Sequence, residues 1–234
     1  MFVGHFGLAF AARRLTPRTG LGTLGAASQW VDLLWPVLLL LGVEQVRIAP
    51  GITAWTPLDF VHYPWTHSLL LSLAWGLLLG GAWGLLSRDR RAGLVVGGLV
   101  SSHWLLDLLT HRPDLPLSPW GGPKVGLGLW NHPVATVIVE GAIFAGGVWL
   151  YARGTRPLRR SGSIGLWALV AFLVAMAGAN QLSVPPGEQA VAWGTLSMWL
   201  IVLWMAWVDR NRQPLPGADG DEAAAAAASP GSRP

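Results

Sequence analysis

Residues 68–87 read SLLLSLAWGLLLGGAWGLLS, twenty positions without a charged side chain. At about 1.5 Å of rise per residue, such a run crosses the ~30 Å hydrocarbon core of a bilayer as a helix. Residues 161–187 form a second uncharged run, 27 positions long. Across all 234 residues, 12% are charged and 52% hydrophobic, whereas a soluble domain carries about a quarter charged residues. A soluble globule is excluded. So is a β-barrel, whose strands would read as short alternating segments. The expected fold is all-α, a polytopic membrane helical bundle.

Cutting the chain at charges and at Pro/Gly clusters gives six spans, roughly 20–43, 67–87, 92–110, 133–151, 163–182 and 189–208. Residues 1–12 are apolar but about 18 Å long as a helix, too short to cross. They are expected to be re-entrant, interfacial or packed on the bundle. Residues 1–208 then form the membrane domain, with a metal-site part in 1–150 and two scaffold helices in 163–208. Residues 209–234, rich in Pro, Gly and Ala, read as a disordered cytoplasmic tail. Pro36 is the one obvious interruption of a span.

Thirteen of the sixteen basic residues fall on one set of alternate connections. The positive-inside rule therefore puts both termini in the cytoplasm and the longer loops, 44–66 and 111–132, outside. The net charge of +4 follows from this topology. Membrane lipids are the expected partners, and no nucleic-acid partner is expected. Arginine, glycine and alanine in preference to lysine suggest a GC-rich bacterial gene, hence the inner membrane. The N-terminus lacks a basic region and a small-residue cleavage site, so no removable signal peptide is expected. The absence of cysteine excludes disulfides, thiolate metal ligands and cysteine nucleophiles.

Ionisable residues are costly in lipid and mark function. Four lie inside the expected spans: Asp32, His103, Asp107 and Glu140. His103, Asp107 and His111 recur at i, i+4 and i+8, so they stack on one helix face. Imidazole and carboxylate groups one turn apart can converge on one ion; the competing reading is a His–Asp pair that locks the bundle. All six histidines precede residue 133, which places the chemistry in the first four spans. His62 and His132 read as solvated loop residues, and Ser68 as a helix-start hydroxyl.

His5 near the start, Asp32 after a glycine-rich stretch, Thr66-His67-Ser68, and His103-x-x-x-Asp107 resemble the bacterial membrane-bound metal-dependent hydrolase-like proteins. That group is held to be distantly related to zinc phospholipases C and S1/P1-type nucleases, whose His/Asp clusters bind catalytic metals. The resemblance covers roughly residues 1–150. Where the family usually shows Leu-Pro-Asp-x-Asp, this chain reads Gln29-Trp30-Val31-Asp32-Leu33-Leu34, with one carboxylate of the two.

Together these readings point to metal-assisted hydrolysis. A divalent ion, zinc or manganese, would be held by some of His5, Asp32, His67, His103 and Asp107. His111, Asp114 or Glu140 would move the proton. Arg112 and Lys124 would face a substrate phosphate. The substrate class is an ester or phosphoester of a lipid or envelope molecule. Two alternatives stand beside it: a proton-coupled transporter with Asp32, Asp107 and Glu140 as relay, and a structural or assembly protein whose His–carboxylate pairs are interhelical bonds.

Overall fold

The computed structural model describes residues 1–182 and 184–215. Helices dominate: α1 (Val3–Ala12), α2 (Leu21–Ser28), α3 (Trp30–Leu40), α4 (Pro64–His67), α5 (Leu69–Ser87) and α6 (Arg90–Thr110) come first. Then follow α7 (Pro133–Gly154), α8 (Arg160–Leu182), α9 (Glu188–Leu196) and α10 (Met198–Arg210). Among the described residues five helical segments are long and apolar enough to cross a membrane, counting α9 and α10 as one, and the bent pair α2–α3 makes a sixth when taken as one span. The chain is a helical membrane bundle, as its uncharged runs require.

The first span breaks at Gln29, where α2 and α3 meet at 58°. Pro36, the expected interruption, instead sits inside α3. The bend leaves the Ser28 carbonyl outside the helical ladder, and the site uses it.

The spans start and stop by ordinary chemistry. Ser68 caps α5 by accepting the amide of Leu71 at 3.4 Å, and Asp89 caps α6 through Ala92 at 3.1 Å. Pro133 opens α7, where a missing N–H costs nothing. Helices α5 and α6 form a hairpin packed backbone to backbone. A Cβ on Gly80 would lie 2.6 Å from the Gly93 carbonyl oxygen.

Helix α1 is packed on the bundle. Phe6 and Phe10 are fully buried, and Phe10 meets the Tyr151 ring edge-on at 5.4 Å. Gly7 lies against the α7 backbone, where a Cβ would come within 2.6 Å of the Ile143 carbonyl oxygen. Only glycine lets this short helix approach so closely.

Two apolar cores result. The larger joins α1, α2, α6, α7, α8 and α10 through Phe6, Leu24, Val100, Phe144, Leu169 and Met205. The smaller is aromatic and lies under the loops, with Trp35, Phe60, Tyr63, Trp104 and Trp130. Those loops carry the hairpin of β1 (Gln45–Ile48) and β2 (Leu58–His62) and the short pair of β3 (Leu115–Pro116) and β4 (Lys124–Val125). The last spans pack on the earlier helices through Leu169 and Met205, and α9 adds Val191 to the aromatic core.

Part of the expected tail is ordered. Asp209 and Arg210 end α10, and β6 (Arg212–Pro214) pairs with β5 (Thr155–Pro157). The cause is local: the Arg212 guanidinium bonds Thr155 and the Gly162 carbonyl. Asp209 accepts from Arg13, Tyr151 and the Leu21 amide. The rest of the expected tail, 216–234, lies outside the described residues.

Candidate metal centre

The five expected ligands come together from four helices: His5 on α1, Asp32 on α3, His67 on α4, and His103 and Asp107 on α6. Four of the five are buried and one is not. His5, His67, His103 and Asp107 are at most 4% exposed, whereas the Asp32 side chain is 21% exposed.

Asp107 divides its two oxygens. Oδ1 faces His5 Nε2 at 3.1 Å and the Met1 α-amino group at 2.7 Å. Oδ2 faces His103 Nε2 at 3.3 Å, His67 Nε2 at 3.8 Å and His111 Nε2 at 4.0 Å. Asp32 faces the same two ligand nitrogens, His67 at 3.2 Å and His103 at 3.5 Å. The contacts of His67 Nε2 and His103 Nε2 with the two carboxylates run from 3.2 to 3.8 Å, through both Asp32 oxygens and Asp107 Oδ2, and two triads, His5–His103–Asp107 and Asp32–His67–His103, have donor atoms within 4.8 Å of one another. A tetrahedral ion with bonds of about 2.1 Å has ligand–ligand edges of about 3.4 Å.

The far side of each ring fixes its proton. His103 Nδ1 lies 2.8 Å from the Ser28 carbonyl oxygen, which can only accept, so Nδ1 carries the hydrogen. In the neutral ring Nε2 then presents a lone pair, and it has no hydrogen-bond partner among the described residues. His67 Nδ1 bonds Thr66 Oγ1 at 2.7 Å, and that hydroxyl donates to Glu44 Oε2, also at 2.7 Å. The hydroxyl hydrogen is thus spent on Glu44, and Nδ1 of His67 donates to Thr66 in turn. His111 Nδ1 donates to Asp114 Oδ1 at 3.0 Å. Three imidazole lone pairs aim at two carboxylates. Lone pair against carboxylate is repulsive, so these contacts call either for a metal ion between the groups or for a proton on Nε2, the His67 Nε2–Asp32 Oδ1 contact at 3.2 Å then being a charged hydrogen bond.

Around this core lies an aromatic wall. Trp130 packs on His111 at 4.3 Å, Phe60 on His111 at 4.9 Å, and Trp35 edge-on to His67 at 6.3 Å. His5 and His103 stack nearly parallel at 3.6 Å, an arrangement that disfavours charge on both rings. Burial pushes His111 below its ordinary value. At Asp114 burial acts to raise the carboxyl, but the His111 bond and the Arg112 charge outweigh it and hold it below the usual range. Burial and the nearby Asp114 charge push the Tyr63 hydroxyl well up, so it donates to Asp114 at 3.2 Å.

Residues 6–212 match the model of the YdjM inner membrane protein family. The chain belongs to that family. It is a multi-pass inner membrane protein. Comparison with curated proteins and with solved structures gave no match. For this family member the matched region holds Asp32, His67, His103 and Asp107, and begins one residue after His5.

The other expected site residues have other company. Glu140 accepts the Phe2 amide through Oε2 at 2.8 Å, and its buried Oε1 has no hydrogen-bond partner among the described residues. Arg112 is paired with Asp59 and Asp114, and Lys124 lies exposed on β4. Among the described residues no hydrogen bond or ion pair joins either cation directly to the five-residue cluster. Asp59 and Asp114, close in space to Arg112, neutralise it first. His62 and His132 are exposed, as solvated residues are.

Glu44 and the Ser28 carbonyl carry no sequence expectation, and Thr66 entered only as the neighbour of His67 in Thr66-His67-Ser68. Glu44 falls in what reads as a loop, yet it is 1% exposed and accepts the amides of Trp65 and Thr66 besides the hydroxyl. The one signal was Thr66 itself, a hydroxyl next to a candidate ligand.

Proposed function

We propose that this protein is a membrane-embedded metal-dependent hydrolase acting on an ester or phosphoester of a lipid or envelope molecule. The observation that carries the reading is that His67 Nε2 and His103 Nε2 face carboxylate oxygens of Asp32 and Asp107 at 3.2 to 3.8 Å, with the donor atoms of Asp32, His67 and His103 all within 4.8 Å of one another. Two imidazoles, two carboxylates and no sulfur suit zinc or manganese. The donor set fits such an ion, and the partners behind it fit as well: a carbonyl, a hydroxyl–carboxylate pair and a carboxylate orient the rings.

Bound there, the metal would supply a water of lowered pKa, about 7 in the best-known zinc sites, and polarise the substrate oxygen. This chain's residues do the rest. His111 Nε2, with Asp114 behind Nδ1, takes the proton from the attacking water. The water oxygen bonds to the carbonyl carbon or phosphorus, the ester bond breaks, and the proton passes to the leaving alkoxide. Asp32, the exposed member, marks the side from which substrate enters.

The test is turnover. Protein reconstituted in vesicles should release product from labelled phospholipids or lipid phosphoesters, lose that activity to a chelator, and regain it with zinc or manganese. His111→Ala should lower turnover by about 10²–10⁴-fold while leaving bound metal in place. Metal-loaded protein with no hydrolysis across these substrates would leave the centre a structural one and refute the enzymatic reading.

A further inference from the structure

At the opposite end of the α5–α6 hairpin lies a cavity of about 560 Å³, away from the metal cluster in sequence and sharing no residue with it. Its wall includes Arg18, Trp83, Arg88, Asp89, Arg90 and Arg91. Four arginines thus line the cavity with one carboxylate, that of Asp89. That carboxylate already serves Ala92 as the cap of α6, and among the described residues none of the four arginines is ion-paired. Such a volume lies in the range of small-ligand sites, and the balance of charge calls for an anion.

The surroundings say which kind. The arginines lie at the end of two spans, α5 and α6, on the face that holds most of the basic residues of the chain. Trp83 stands about one turn inside, its indole donating to Thr19 Oγ1 at 3.4 Å, where an aromatic ring meets the membrane interface. Beside the cavity the helix surface is bare hydrocarbon, with Leu85, Leu86 and Leu94 each about 80% exposed. A free phosphate would use the arginines and nothing else. A phospholipid uses both parts, its headgroup on the guanidinium groups and its acyl chains along the leucines.

Arg88 adds an independent mark. It ends α5 in the left-handed conformation, φ 55°, at a position where glycine is the residue of least strain. The chain keeps a long cation there and accepts the backbone cost.

We propose that this cavity is a binding site for the phosphodiester headgroup of an anionic phospholipid. The test uses full-length protein in detergent, with lipid retention read by native mass spectrometry. Phosphatidylglycerol and cardiolipin should be retained over phosphatidylethanolamine. Arg88→Gln with Arg91→Gln should weaken that retention by on the order of tenfold or more. Arg88→Gly separates binding from folding: it relieves the left-handed strain, so thermal stability without lipid should hold or rise while anionic-lipid retention falls. Equal retention of anionic and zwitterionic lipids would overturn the proposal, as would unchanged retention in the double variant. Displacement of bound lipid by inorganic phosphate alone would overturn the lipid assignment and make the cavity a soluble-phosphate site.

Discussion

Thr66 is the residue whose removal most cleanly separates orientation from ligation. Its hydroxyl passes a hydrogen bond from His67 to Glu44 without itself reaching the cluster. Thr66→Val keeps the shape and leaves His67 Nδ1 and Glu44 without that link. Metal affinity, read by competition with a chromogenic chelator, should fall by about 10–100-fold, and Thr66→Ser should restore it. Asp114 offers a second residue-scale prediction, on stability. Its carboxyl is held below the ordinary value of about 4, so the folded state favours its ionised form. That contribution is complete above the ordinary carboxylate range and is lost as pH falls through the lowered pKa. Asp114→Asn should therefore lower stability at neutral pH and flatten its acid dependence, as thermal melts in detergent at several pH values would show. Of the five candidate ligands, Asp32, His103 and Asp107 were legible as residue types costly in lipid, while His5 and His67 entered through the family resemblance. Their second partners were not legible, because Glu44 lies in a loop by composition and the Ser28 carbonyl has no signature in a sequence.

Helix geometry explains why these residues meet at all. The 58° bend at Gln29 turns the Ser28 carbonyl toward His103 and sets Asp32 opposite α6. Proline signals a break through its missing N–H, so sequence pointed to Pro36. The actual bend follows from how α2 and α3 pack, which local propensity does not encode. The close helix pairs are held by glycine. Alanine at Gly80 would put a methyl 2.6 Å from the Gly93 carbonyl oxygen, and Gly80→Ala should cost about 1–3 kcal/mol of stability. The neighbouring Gly81, exposed and with nothing within 4 Å, is the control: Gly81→Ala should leave thermal stability unchanged or raise it.

The whole molecule is a membrane bundle with a polar centre between its two apolar cores, and this much the uncharged runs already required. Short α1 was the element whose placement they left open; Phe6, Phe10 and the Gly7 crossing settle it inside the bundle. The absence of cysteine makes topology simple to test. Single cysteines near Arg88 and Arg156 should react with impermeant thiol reagent only after the inner face is opened, and those near Arg47 and Lys124 in intact spheroplasts. Reaction of all four positions from outside would contradict the orientation drawn from the arginines.

The most direct test of the metal centre is the metal content of purified protein, measured by mass spectrometry of the elements. The wild type should carry about one divalent ion per chain, zinc or manganese, and His103→Ala with Asp107→Ala should carry none while remaining folded in detergent. Wild-type protein that is folded, metal-free and indifferent to added metal and to chelators would contradict the account and leave the histidines and aspartates as interhelical bonds.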